Sequence, residues 1–120
     1  MNILVVDDDR DILEAIRDIL RSQDHHVITA SNGALALEEL ARPPRGGFKL
    51  IMLDLMMPVC DGEVFLKALS ERPEANTCSV IVMTASQKIP TSVIPVRILR
   101  KPIELDDLIM TVDEFNESAF

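Results

Sequence analysis

The sequence predicts a single α/β domain of parallel strands joined by crossover helices. Short β-branched or aliphatic runs alternate five times with segments of helical period, which is the pattern of βα units. Several runs are continuously apolar, as strands covered on both faces must be. With 120 residues, 48% of them hydrophobic, the chain can bury one core and is too short for two, so residues 1–120 are expected to form one domain.

The first strand, Ile3-Leu4-Val5-Val6, ends abruptly in Asp7-Asp8-Asp9. In the following helix Ile12, Ile16, Ile19 and Leu20 form one stripe with Leu13 beside it, while Arg10, Asp11, Glu14, Arg17, Asp18 and Arg21 face outward. His25 and His26 fall in a polar turn and are expected to face solvent. Val27 to Ala30 reads as the second strand, and Ser31 or Asn32 can cap a helix from Ala34 to about Ala41. Pro43-Pro44-Arg45-Gly46-Gly47 then breaks the chain into what should be a long mobile loop, with Arg42, Arg45 and Lys49 solvated around it.

Lys49 to Leu53 is the third strand and delivers Asp54. A helix from Gly62 to about Glu71 should turn Val64, Phe65 and Leu69 inward and stop near Pro73. Val80 to Met83 is a buried strand reaching Thr84, and Val96 to Leu99 is a fifth strand followed by Lys101. The last helix is expected from Leu105 to Phe115, with Leu105, Leu108, Ile109 and Val112 buried and Glu104, Asp106 and Asp107 favourably placed near its N-terminus. Between Thr84 and Lys101, Pro90, Pro95 and several β-branched residues oppose a regular helix, so the fourth helix should shrink to about one turn or become a loop. Met56, Met57, Met83 and Met110 are expected to fill core gaps.

A net charge of −8 excludes the basic footprint that direct nucleic-acid binding requires. Cys60 and Cys78 lack zinc-site spacing and are expected to be reduced thiols, the first exposed near a loop and the second at a strand entrance. The apolar start is too brief for a secretory signal or a membrane span, which points to a soluble cytoplasmic protein. No internal repeat, low-complexity tract, linker or output domain is visible, and the run from Met1 to Phe120 suggests a stand-alone protein.

Adjacent carboxylates repel and raise one another's pKa unless a positive group stands between them, so an acid block at the end of a buried strand calls for a cation. A divalent metal is the simplest one. In open parallel sheets ligands gather at the carboxyl ends of strands, and that rule selects Asp7, Asp8, Asp54, Thr84 and Lys101 together. Singly each has a plainer reading. Asp9 fits a helix cap, Thr84 a backbone-bonded hydroxyl, Lys101 a solvated charge.

Taken in order, VVDDD, LDLMMPVCDG, VMTA and LRKP resemble the receiver domains of two-component response regulators, over essentially the whole chain. The resemblance implies a flavodoxin-like (βα)5 three-layer sandwich with a five-stranded parallel sheet of order 2-1-3-4-5. It also implies that Asp54 accepts a phosphoryl group and that Mg²⁺, or Mn²⁺ in its place, is held by Asp7, Asp8, Asp54 and the backbone carbonyl of Met56. Lys101 would pair with Asp54 before reaction and with a phosphoryl oxygen after it, the Thr84 hydroxyl would bind another, and Ala85 would leave room. Pro102 would follow a cis peptide bond, as in the family.

The expected function is therefore a receiver charged by a histidine kinase or histidine phosphotransfer protein, acting on an unknown downstream protein. It would catalyse its own phosphorylation and autodephosphorylation without being a conventional turnover enzyme. Two departures bear on mechanism: Ile98 stands where receivers usually carry Tyr or Phe, and the segment after Thr84 is short. They keep open a phosphorylation-independent pseudo-receiver that acts as a protein-interaction module. A metal-dependent hydrolase of another α/β family is the third class, and the chain has no GxxxxGK[ST], GxSxG or GxGxxG motif to support it.

Overall fold

The protein was analysed as a computed structural model. Residues 1–57, 61–85 and 95–117 are described. The strands are β1 (Asn2–Val6), β2 (His26–Ala30), β3 (Leu50–Asp54), β4 (Ser79–Thr84) and β5 (Arg97–Arg100), and the helices α1 (Arg10–Ser22), α2 (Gly33–Ala41), α3 (Gly62–Ser70) and α4 (Leu105–Glu117). All strand pairs are parallel and the order is β2-β1-β3-β4-β5. The expected fourth-helix region, Ser86 to Ile94, lies outside the described residues, as does Cys60.

Strand periodicity makes the three layers, because successive side chains point to opposite faces. Ile3 and Val5 of β1, Leu50 and Met52 of β3, and Ile81 and Met83 of β4 pack with Leu13, Ile16 and Leu20 of α1 and Leu108 and Val112 of α4. The alternate residues Leu4, Val6, Ile51, Leu53, Val80 and Val82 pack with Ala36 and Leu40 of α2 and Phe65, Leu66 and Leu69 of α3. Each central strand thus has no free face, which is why β1, β3 and β4 read as unbroken apolar runs.

Several expectations are corrected. Val64 is 55% exposed and Leu66 takes its place inward; in a nine-residue helix with apolar residues at 64, 65, 66, 68 and 69, composition does not set the phase. Leu105 is 51% exposed, since it belongs to the first turn of α4 and lines a surface groove with Ile12, Ile19 and Ile103 instead of entering the core. The buried stripe of α1 is Leu13, Ile16 and Leu20, with Ile12 and Ile19 at its edge. Met57 and Met83 are core residues, but Met56 and Met110 are exposed, at the rim and on the outer side of α4. His25 is only 8% exposed, not solvent-facing: its Nδ1 accepts from the N-terminal ammonium at 3.1 Å, while His26 remains exposed.

The Pro43–Gly47 loop is tied down. Asn2 Nδ2 donates to the carbonyls of Arg45 (3.1 Å) and Gly47 (2.9 Å), and the Gly47 N–H donates to Pro44 O at 2.8 Å. A 3₁₀ turn at Pro73–Asn76 follows α3, proline supplying its first φ angle.

Candidate functional site

The site is made by strand ends. In parallel register Asp54 lies beside Met83, and Thr84 beside Arg100, so the residues that follow β1, β3, β4 and β5 share one rim. Three local devices then aim the side chains. The Asp9 carboxylate caps α1 by accepting from the backbone N–H groups of Asp11 and Ile12, as its position before a helix predicts. The N–H of Asp9 in turn donates to Asp7 Oδ1 at 2.9 Å, fixing the buried Asp7 carboxylate. The Lys101 N–H, directly after β5, donates to Thr84 O at 2.9 Å, so the lysine enters the rim from the end of that strand; the Lys101–Pro102 peptide is cis.

Asp7, Asp8 and Asp54 each offer a carboxylate oxygen within 4.8 Å of the others. Asp7 and Asp54 are buried and Asp8 is exposed. The Lys101 ammonium donates to Asp7 Oδ2 at 2.9 Å and stands 3.6 Å from Asp54 Oδ2. Its shorter contact is with Asp7, whereas the family resemblance implied pairing with Asp54. The other Asp54 oxygen accepts from the Met56 N–H at 3.2 Å. Thr84 is fully buried at the same rim and Ala85 beside it is exposed.

Burial, and next the Asp7 charge, push the Asp54 carboxyl up to about 6 from 3.8, against the opposing pull of the Met56 N–H and Lys101. For Lys101 burial acts to lower the pKa, but the hydrogen bond and charge of Asp7, together with Asp54, outweigh it and the net direction is upward. Among the described residues three carboxylates stand with one ammonium, so with all of them ionised this group lacks two positive charges. A divalent ion that prefers hard oxygen ligands fits that deficit, and Mg²⁺ in particular binds through one or two carboxylates while keeping waters on an open face such as Asp8 provides.

Sequence reasoning selected Asp7, Asp8, Asp54, Thr84 and Lys101, and the fold brings all five to one rim. It passed over Gly62, whose N–H donates to Leu55 O at 3.0 Å directly after the acidic strand end. The signal available was the Asp61-Gly62 pair, with Asp61 capping α3 through Val64 N–H and a residue without a side chain placed next.

Comparisons with known proteins give the family and the fold. The family model of the response regulator receiver domain matches residues 3–113. The response regulator RR06 of Streptococcus pneumoniae is 39% identical over 85 residues, covering 71% of this chain and 36% of that protein. An uncharacterized 14.6 kDa protein of Leptolyngbya boryana is 32% identical over 120 residues, covering 96% of this chain and 89% of its own. Among solved structures, the receiver domain of the Francisella response regulator 1452 superposes with a TM-score of 0.81 at 27% identity, covering 99% of this chain and 98% of that one. The chain spans about a third to a half of the length of several curated relatives it matches. Because the family match runs through nearly the entire sheet and every strand end that forms the rim, the chain belongs to the receiver domains of two-component response regulators.

Proposed function

We propose that residues 1–120 form one receiver domain that takes a phosphoryl group onto Asp54 from the phosphohistidine of a histidine kinase or histidine phosphotransfer protein, and that the modified chain binds a downstream protein differently. The observation that carries this reading is the setting of Asp54: a carboxylate 3% exposed, within 4.8 Å of two other acids, with one oxygen on the Met56 N–H and the other toward Lys101. Burial and fixed donors hold the nucleophile in a single orientation, which is most of what phosphoryl transfer asks of a protein.

An Asp54 oxygen forms the new O–P bond as the donor's N–P bond breaks, and the departing imidazole takes a proton from solvent. Lys101 and the Thr84 hydroxyl then bind phosphoryl oxygens, and Ala85 leaves room for the group. Mg²⁺ would be held by Asp8 and Asp54, by Asp7 directly or through a water, and by the Met56 carbonyl; bound there, it neutralises charge on the phosphoryl oxygens. In the return step water attacks phosphorus, the O–P bond breaks, and Asp54 and inorganic phosphate are regenerated.

Incubation with acetyl phosphate and Mg²⁺ tests the reading by mass spectrometry. One phosphoryl group should be added to the native chain and none to Asp54→Asn or in the presence of a chelator. No addition under any condition would favour a pseudo-receiver.

A further inference from the structure

We propose that Gly62 is a positioning residue for the phosphoacceptor: the bare Cα at the start of α3 decides where the Asp54 carboxylate stands relative to Asp7, Asp8 and Lys101. The proposal rests on the reading of Asp54 as the acceptor and adds a residue that touches neither metal nor phosphoryl group.

Gly62 is helical, with φ outside the left-handed region, so conformational freedom does not explain it. Space does. A Cβ at this position would lie 2.6 Å from Leu55 Cα, 2.8 Å from Asp54 O and 2.9 Å from Leu55 Cδ2. The first distance is about 0.8 Å inside the 3.4 Å at which ordinary contact begins, and the two closest atoms are backbone, which cannot swing aside as a side-chain tip can. The first residue of α3 is therefore pressed against the peptide that joins the acceptor to its successor. Its own N–H locks the contact by donating to Leu55 O at 3.0 Å.

With α3 anchored by the buried Phe65, Leu66 and Leu69, the retreat from an added methyl falls on the end of β3. The strand body cannot move, because Leu50–Leu53 are paired on both sides, with β1 and with β4. The last ties beyond it are looser: Leu55 N–H to Met83 O is 3.4 Å and Met56 N–H to Asp54 Oδ1 is 3.2 Å. The displacement thus reaches the residue that carries the nucleophile and the N–H that orients it. Misplacing a reacting group by about 1 Å can cost on the order of 100-fold in rate.

The experiment compares Gly62→Ala with Leu40→Ala, a core truncation on α2 that lowers stability without touching the acceptor. Two quantities are read under conditions where circular dichroism shows each chain folded: the rate of Asp54 phosphorylation by acetyl phosphate at saturating Mg²⁺, and the affinity for Mg²⁺ alone by calorimetry. Gly62→Ala should slow the first by about 10- to 100-fold and weaken the second by at least about 5-fold, with Leu40→Ala near native in both. Native values in folded Gly62→Ala overturn the proposal, and so does an equal loss in Leu40→Ala. Should Gly62→Ala not fold, Leu55→Ala removes the buried side chain that pins the peptide after Asp54 while leaving its backbone against Gly62; a loss of about 3-fold in both readouts is expected, and unchanged values overturn the proposal. If the native chain takes no phosphoryl group, the acceptor reading fails, and Mg²⁺ affinity alone decides the positioning claim.

Discussion

The two ends of the sheet treat polar groups in opposite ways. At the amino ends of the strands every described polar contact is a donor meeting an acceptor: Asn2 Nδ2 reaches two loop carbonyls, the Cys78 thiol donates to Phe48 O at 2.9 Å, and the N-terminal ammonium meets His25. At the carboxyl ends like charges are crowded instead: Asp7, Asp8 and Asp54 lie together, and among the described residues the ammonium of Lys101 stands against Asp7 and Asp54. Burial pushes the Cys78 thiol up and so keeps it neutral, whereas the acids of the other rim stay close together at the cost of mutual repulsion. One end is satisfied by the fold alone. The other leaves, among the described residues, a surplus of negative charge that a divalent cation would relieve.

Metal addition sharpens the contrast most. A ligand that binds only the folded state stabilises it by RT ln(1 + [L]/Kd), about 2.7 kcal/mol at a hundredfold excess over Kd. Thermal unfolding with and without saturating Mg²⁺ should show a rise of that order in the native chain, lost in Asp8→Asn. An undiminished rise in Asp8→Asn would mean that the cation acts elsewhere.

Substitutions that remove one polar side chain should change stability with opposite sign at the two ends. In metal-free protein Asp54→Asn removes a buried like charge and should stabilise by about 1–2 kcal/mol, while abolishing phosphorylation. Asn2→Ala deletes two hydrogen bonds that hold the 45–47 loop and should cost about 1–2 kcal/mol, leaving phosphorylation intact. Urea titrations of both variants check this. Destabilisation by Asp54→Asn would show that Lys101 needs both carboxylates more than they repel each other.

What the sequence made legible follows from the same division. The residues that converge on the rim were readable because β1, β3 and β4 are apolar runs that end sharply in Asp7, Asp54 and Thr84, and parallel strands place such ends together. Distances within the rim were not, so the preference of Lys101 for Asp7 emerged only from coordinates. Helix phase failed where apolar residues outnumber the buried face, as at Val64 and Leu66, and at the first turn of α4, where Leu105 faces a groove. The Asp61-Gly62 pair marks a helix start, but that Gly62 is needed for space is not legible from it, because any helix start can carry a glycine.

A smaller effect probes the mouth of the acidic rim. Met56 is 72% exposed and its N–H donates to Asp54, so its side chain stands at the surface close to the proposed acceptor. An apolar side chain there leaves an attacking water without a hydrogen-bond partner, and Met56→Asn should hasten decay of the aspartyl phosphate by about 2- to 10-fold. Unchanged or slower decay would exclude the side chain from that path.

The smallest effect belongs to the satisfied end. His25 is held below its ordinary value of 6.5, chiefly by burial and then by the N-terminal ammonium, against the raising influence of Asp113 from α4 and Asp24 from the preceding turn. Because the unfolded chain binds this proton more readily than the folded one, stability rises with pH across the window. The contribution is complete above 6.5 and is lost as the pH falls through 6.5 toward the lower folded value. The ammonium can only donate, so Nδ1 must be unprotonated to accept at 3.1 Å, and protonating the ring breaks that bond as well. Between about pH 7.5 and pH 5.5 the native chain should therefore lose more stability than His25→Gln, a difference from which the carboxylates of the other rim cancel. Equal slopes for the two chains would mean that the histidine accepts its proton as easily folded as unfolded, and that the amino end of the sheet is less closed than its hydrogen bonds imply.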